Sequence, residues 1–245
     1  MEPNLLIVTV AATITALATG LGVLPFLVRR PGLRALSDAN AAAAGVMLAA
    51  AVALAIEGVN SGVVRTVAGV ALGAALILVV RARLPEPSAL RFEGLRGDGA
   101  EKAVLIVAVM TAHSAAEGIA VGVSFGEGAT FGAALTIAIA IHNIPEGLAI
   151  GLVLIPRGVG VGRAALWSIF SSLPQPILAL PAFLFVEAFS QFLPIGLGLA
   201  AGAMAWMVVA ERAPEALRNA SVVRVATVGG LSFAAMTIFQ ALLIA

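Results

Sequence analysis

Residues 129–155 read ATFGAALTIAIAIHNIPEGLAIGLVLI. The run is apolar almost throughout and exceeds the ~20 residues that carry a helix across ~30 Å of hydrocarbon. Its apolar residues are continuous and do not alternate, so it reads as a helix that satisfies its own backbone and not as a barrel strand. Deep inside it, far from any loop, stand His142 and Glu146. Ionisable groups in such a span are expensive to bury, and the default reading of them is functional.

The rest of the chain is built the same way. Of 245 residues 61% are hydrophobic and only 11% charged, and the mean hydropathy is +1.08. A soluble domain carries about a quarter charged residues, so there is too little polar material here for a water-facing shell, and the apolar excess must face lipid. The net charge of +1 is uninformative by itself, and no nucleic-acid partner is expected. The absence of cysteine excludes disulfides, thiolate metal sites and cysteine nucleophiles. The opening residues are acidic where a signal peptide would be basic, so the first apolar run is expected to be a retained span.

Hydropathy and breakers give eight apolar stretches, at Leu5–Val28, Ala41–Glu57, Gly62–Val80, Ala103–Phe125, Ala129–Ile155, Ala164–Ala188, Phe192–Val209 and Val222–Ala245. The expected fold is therefore all-α, a polytopic membrane bundle of eight transmembrane helices forming one domain over residues 1–245. With this partition, alternate loops collect 13 of the 14 Lys and Arg residues, leaving only Arg65 on the other side. Basic residues mark cytoplasmic loops, which places both termini outside in a multi-pass protein of the cell (inner) membrane. The longest loop, about residues 81–102, mixes charges with Pro85, Pro87 and several glycines and reads as a flexible cytoplasmic linker. Abundant Ala and Gly in the spans permit close helix approach and would accommodate a homodimer within membrane lipid.

The only two histidines are each followed four residues later by glutamate and then glycine: His113-Ser-Ala-Ala-Glu117-Gly118 and His142-Asn-Ile-Pro-Glu146-Gly147. An i, i+4 pair shares one helix face, about 6 Å apart along the axis. Two facing helices so equipped bring two imidazoles and two carboxylates around one point. That donor set suits Zn²⁺, Fe²⁺, Mn²⁺ or Co²⁺, and two carboxylates balance a divalent charge where the dielectric is low. Pro145, inside the span, removes a backbone donor and frees a carbonyl near the pair. A metalloenzyme or a metal-gated receptor could use the same donors. However, no HExxH motif or Ser-His-Asp set is present, and both histidines are spent as ligands, so no catalytic residue or catalytic cofactor is expected.

HSAAEG and HNIPEG on spans four and five resemble the paired motifs of the ZIP family of divalent metal transporters. The stretches Ala44–Ala50 and Ala201–Met204, with Glu211 and Pro214-Glu215, resemble its GufA-type bacterial branch. The resemblance implies a 3+2+3 arrangement, with spans one to three and six to eight as inverted repeats around a transport pair. It also implies alternating access and Zn²⁺ as the leading substrate, with Fe²⁺, Mn²⁺, Cd²⁺ and Co²⁺ as further candidates. In this family a second metal position uses the residues following each His, the shared span-five Glu and a span-six Glu. Here those positions hold Ser114, Asn143, Glu146 and Gln175. A neutral amide in place of a carboxylate implies one strong site, the second weak or missing. Glu57, Glu211 and Glu215 remain as candidate pathway acids, Glu187 lies near an outer end, and the 81–102 loop lacks the histidines that many relatives carry there.

Overall fold

The computed structural model describes residues 4–28, 32–83 and 89–244. The Arg29–Arg30 pair, Pro85 and Pro87, all used in the loop reading above, lie outside the described residues, as does the side chain of Glu187.

The chain is helical nearly throughout. Helix α1 (Leu5–Leu21) starts where the Asn4 side chain accepts a hydrogen bond from the Ile7 amide at 3.0 Å, satisfying one of the free N–H groups of a first turn. A short α2 (Pro25–Val28) continues it, and α3 follows over Leu33–Arg83. A two-residue hairpin, β1 (Arg91–Phe92) with β2 (Leu95–Arg96), then leads into α4 (Asp98–Glu127). Asp98 and Glu101 in the first turn of α4 suit the positive end of its dipole. Only Gly128 separates α4 from α5 (Ala129–Leu154), and its φ of +139°, a region that strongly favours glycine, lets the chain reverse at once. Span six is two pieces, α6 (Val161–Ser171) and α7 (Pro174–Leu184), broken where Pro174 and Pro176 cannot donate to the preceding turn. Helix α8 (Val186–Met207) runs through a π-helical turn at Val208–Arg212 into α9 (Ala213–Leu217), and α10 (Val222–Ile244) closes the chain.

Seven of the described helical segments are long and apolar enough to cross a membrane. The difference from the expected eight lies in α3, whose run Leu33–Val79 takes in both the second and third expected stretches. Gly62 interrupts it with non-helical dihedrals. The arms on either side fold back on each other: a Cβ placed on Gly58 would lie 2.8 Å from the Thr66 side chain, whereas residues eight apart on a straight helix are about 12 Å apart.

A second difference concerns the segment expected to be a flexible linker. Its described part comprises the end of α3, the hairpin and the first turn of α4, the hairpin being docked by Phe92 against Trp167 with ring centroids 4.6 Å apart. Glu93, at the hairpin turn, accepts hydrogen bonds from Trp167 Nε1 (2.9 Å) and Arg163 Nη1 (2.7 Å).

Backbone-to-backbone contacts sort the helices into three sets, of which α1 with α5 and α4 with α7 are tied into one group by the one-residue turn at Gly128 and by the buried Asn143–Gln175–Glu117 hydrogen bonds. Gly22 and Gly147 join α1 to α5, and Gly118 and Gly122 join α4 to α7. Gly69, Gly73, Gly198 and Gly202 join α3 to α8, and Gly45 joins α3 to α10. At each of these a side chain would overlap the neighbour's main chain. Between the groups the glycine contacts are with side chains, Gly196 with Ala116 and Gly126 with Val186, and the apolar core includes Met47, Met110, Met204 and Met207. Helices α4 and α5 lie inside the bundle; α10 is peripheral, only 6% of its apolar window being buried against 67% for α4.

Candidate metal centre

The four residues singled out by the repeated motif converge. His113 and Glu117 on α4, and His142 and Glu146 on α5, are all buried and offer ligand atoms within 4.8 Å of one another. His113 Nε2 is 2.8 Å from Glu146 Oε1 and 3.4 Å from Glu117 Oε1, while His142 Nε2 is 3.2 Å and 4.0 Å from the same two oxygens. The rings meet edge-on, with centroids 5.9 Å apart. Despite these distances, no imidazole nitrogen and neither Glu146 oxygen has a hydrogen bond of acceptable geometry. Buried polar atoms are ordinarily paired; these are not, and one ligand atom from each of the four residues lies close enough to the others to share a cation.

The glycine that ends each motif has a structural reason. Gly118 is where α7 crosses α4, a Cβ there lying 2.6 Å from the Gln175 carbonyl oxygen, and Gly147 is where the Thr19 carbonyl of α1 presses on α5. Each Glu of the site is thus followed by the point at which a flanking helix touches its own, and α1 packs on α5 as α7 packs on α4. Pro145 adds to this locally: as the residue four beyond Ile141 on α5, it leaves that carbonyl without its helical donor.

Gln175 and Asn143 are also at the site. Gln175 Nε2 donates to Glu117 Oε2 at 2.6 Å, Asn143 Nδ2 donates to Gln175 Oε1 at 3.1 Å, and Asn143 Nδ2 also reaches the Thr15 carbonyl at 2.7 Å. The chain of bonds fixes the orientation of the Gln175 amide: with its oxygen facing Asn143, its NH₂ must face Glu117. One oxygen of Glu117 is thereby held by the amide while the other faces the histidines. Asn143 Oδ1 and Ser114 Oγ are buried without a partner. Thr15 and the Thr19–Ser172 hydroxyl pair, 2.7 Å apart, extend this polar seam between α1 and α7; nothing in their sequence context, small hydroxyls among apolar residues, singled them out.

The candidate pathway acids lie elsewhere. Glu57 is exposed, on the arm of α3 that ends at Gly62. Glu211 and Glu215 are half-buried near the opposite end, where Glu215 forms ion pairs with Arg218 (3.5 Å), Lys102 (3.7 Å) and Arg157 (3.8 Å). That end gathers described members of every basic loop, including the Asp38–Arg224 and Glu93–Arg163 pairs. Arg212, expected in a loop, is instead buried in the π-helical turn, with Nη1 donating to Asn40 Oδ1 at 3.0 Å.

Two histidines and two carboxylates buried between membrane-length helices mark a membrane protein with several candidate spans and a His/Glu cluster that could hold a metal ion. A family profile described as ZIP zinc transporter matches residues 95–239. The chain is 34% identical over 224 residues to the zinc transporter GufA of Myxococcus xanthus, covering 86% of this chain and 88% of that protein. It is 46% identical over 224 residues to an Arabidopsis thaliana protein named for zinc transport, covering 90% of this chain but spanning only 36% of the relative. The zinc transporter ZIPB of Bordetella bronchiseptica is 37% identical over 136 residues, 55% of this chain and 44% of that protein. The chain belongs to the ZIP zinc transporter family, whose matched members are named as transporters and not as enzymes.

Proposed function

We propose that this protein carries a divalent transition-metal ion, Zn²⁺ first among Fe²⁺, Mn²⁺, Cd²⁺ and Co²⁺, through the site formed by His113, Glu117, His142 and Glu146, and that it does so by alternating access toward the cytoplasm. The observation that carries the reading is the convergence of these four buried ligands within 4.8 Å. Imidazole with carboxylate is a donor set for borderline divalent cations, and two carboxylates offset the ion's charge away from water.

The ion binds singly. Where a second cation would need a span-six carboxylate beside the shared Glu146, Gln175 offers a neutral amide whose NH₂ donates to Glu117; a donor in that place repels a second metal. Asn143 and Ser114 then serve as neutral neighbours of the one site.

Movement is by displacement of one helix group against the other. The group holding α1, α4, α5 and α7 contains all four ligands; α1 meets α5 and α4 meets α7 backbone to backbone, the two pairs are tied by the Asn143–Gln175–Glu117 hydrogen bonds, and α3 meets α8 and α10 backbone to backbone. Contacts between the groups run through side chains, methionines among them, which slide and repack at lower cost than interlocked main chains. The matched packing of α1 on α5 and α7 on α4 supports the inverted 3+2+3 arrangement, and the fold-back at Gly62 supports eight crossings. An even number of crossings puts the basic end in the cytoplasm and both termini outside the cell membrane. A cavity of about 290 Å³ at the basic end, lined by Leu152 and Pro156 of the metal-bearing strand of chain and by Glu215, offers the exit; it begins about 9 Å along α5 from Glu146. Glu57 would stand at the opposite mouth.

The test is metal stoichiometry on purified protein: one Zn²⁺ per chain, abolished in the double variant Glu117→Ala, Glu146→Ala. Two ions per chain at saturation would overturn the single-site reading, and retention of one ion in the double variant would overturn the ligand assignment.

A further inference from the structure

Both ion pairs described between the two helix groups converge on one residue. Glu215, on α9, stands 3.7 Å from Lys102 on α4 and 3.8 Å from Arg157 in the turn that ends α5; its third partner, Arg218, belongs to its own group. The other described side-chain links near the basic end stay inside one group. Asp38–Arg224 and Arg212–Asn40 bind α3 to α10 and to the π-helical turn. Glu93 with Arg163 and Trp167 fastens the hairpin to α6. At the centre, Asn143, Gln175 and Glu117 join α5, α7 and α4. Glu101 and Glu211 have interactions of their own.

The Glu215 contacts differ in kind from those internal fastenings. At 3.5–3.8 Å they exceed hydrogen-bonding distance, whereas the Asp38–Arg224 and Glu93–Arg163 pairs close to 2.6 and 2.7 Å. The side chains of Glu215, Lys102 and Arg157 are 27%, 29% and 23% exposed, so solvent and salt screen them. One carboxylate shared loosely among cations from three segments can be exchanged or released without leaving a buried charge behind. Glu215 also lines the cavity at this end, between α3, α5 and α9, and touches none of the four central ligands.

We infer that Glu215 is a positioning residue for transport: its carboxylate latches the metal-bearing group to the α8–α9 group at the basic end, and the conformational cycle breaks its pairs with Lys102 and Arg157. The inference rests on the reading above that the two groups move past one another. Neutralising Glu215 releases the latch without altering the metal ligands, so the number of ions bound stays unchanged while the balance of conformations shifts by about two- to fivefold, the range that screened ion pairs supply.

The chain contains no cysteine, so spin labels on Gly160→Cys and Asn219→Cys, one in each group at the basic end, report their separation without background. Distance distributions in lipid nanodiscs are compared for the wild-type background, Glu215→Gln, Lys102→Gln, and the swap Glu215→Lys with Arg157→Glu. The expected result is two populations whose ratio shifts about two- to fivefold toward the longer separation in both neutralised variants and returns toward the starting ratio in the swap, with the number of Zn²⁺ ions bound per chain constant. Raising salt should reproduce the shift in the starting background and leave Glu215→Gln unmoved. Two populations in an unchanged ratio across the variants would overturn the latch while leaving the moving-group reading intact. A single separation, insensitive to Zn²⁺ and salt in the starting background, would overturn both.

Discussion

Replacing Gln175 by alanine removes the hydrogen bond to Glu117 Oε2, 2.6 Å long and fully buried, and leaves Asn143 Nδ2 with only the Thr15 carbonyl. A hydrogen bond to an ionised group contributes about 1.5–3 kcal/mol. At 1.4 kcal/mol per decade, loss of that contribution from the metal-ready arrangement of Glu117 weakens binding roughly 10- to 150-fold, in line with the roughly 10- to 100-fold cost of removing an outer partner of a metal ligand. Titration of detergent-solubilised protein with Zn²⁺ by calorimetry gives the two dissociation constants, and helix content with a thermal melt separates loss of affinity from loss of fold. A folded Gln175→Ala protein whose Kd lies within twofold of wild type would refute the idea that the amide holds Glu117 for the ion. Gln175→Glu extends the same experiment: with a carboxylate beside Glu117, the stoichiometry should rise from one metal to two.

Gly147→Ala should destabilise the protein by about 1–3 kcal/mol or more, because its Cβ overlaps the Thr19 carbonyl. Gly230→Ala, with nothing within 4 Å of the new carbon, should leave the melting temperature unchanged or raised; equal melts for the two would refute the close α1–α5 contact. The Glu93 carboxyl is held below its ordinary value of 4.5 by hydrogen bonds from Trp167 and Arg163, against an opposing desolvation. Its contribution to hairpin docking is therefore complete above pH 4.5 and disappears as pH falls through the lowered value. Amide-exchange protection of residues 91–97 should drop across that acid range in wild type but not in Glu93→Gln. Because a metal must displace protons from its ligands, Zn²⁺ affinity should decline below about pH 6; a flat affinity between pH 8 and 5 would contradict the His/Glu assignment.

The clustering of His113, Glu117, His142 and Glu146 was legible because one unit, H-x-x-x-E-G, occurs twice at a constant offset inside long apolar runs. A buried charge is costly enough that few accidental copies survive. The glycines of the unit looked like ordinary small residues; only the crossings of α1 and α7 reveal why no Cβ fits after Glu117 or Glu146. Gln175 stood out by comparison with related transporters, but its bonded partner, Glu117, depends on how α7 lies on α4, which local sequence does not encode. The starts of the first and last spans were read to the residue, since hydropathy changes abruptly there. The second and third stretches were harder: no proline or charge cluster separates them, and α3 continues to Gly62 before folding back. The hairpin at Arg91–Arg96 escaped because two-residue strands carry no periodicity, and its docking depends on Trp167 and Arg163, some seventy residues away. Arg212 was read as a loop charge; its burial follows from the π-helical turn, which turns it inward to Asn40.

The most direct measurement of the central claim is saturable Zn²⁺ uptake into proteoliposomes containing a metal-sensitive dye. The account predicts uptake by wild type, collapse in Glu146→Ala and His113→Ala, and near-normal rates in Glu57→Ala, which leaves the centre intact. Equal uptake by wild type and the two site variants would contradict it.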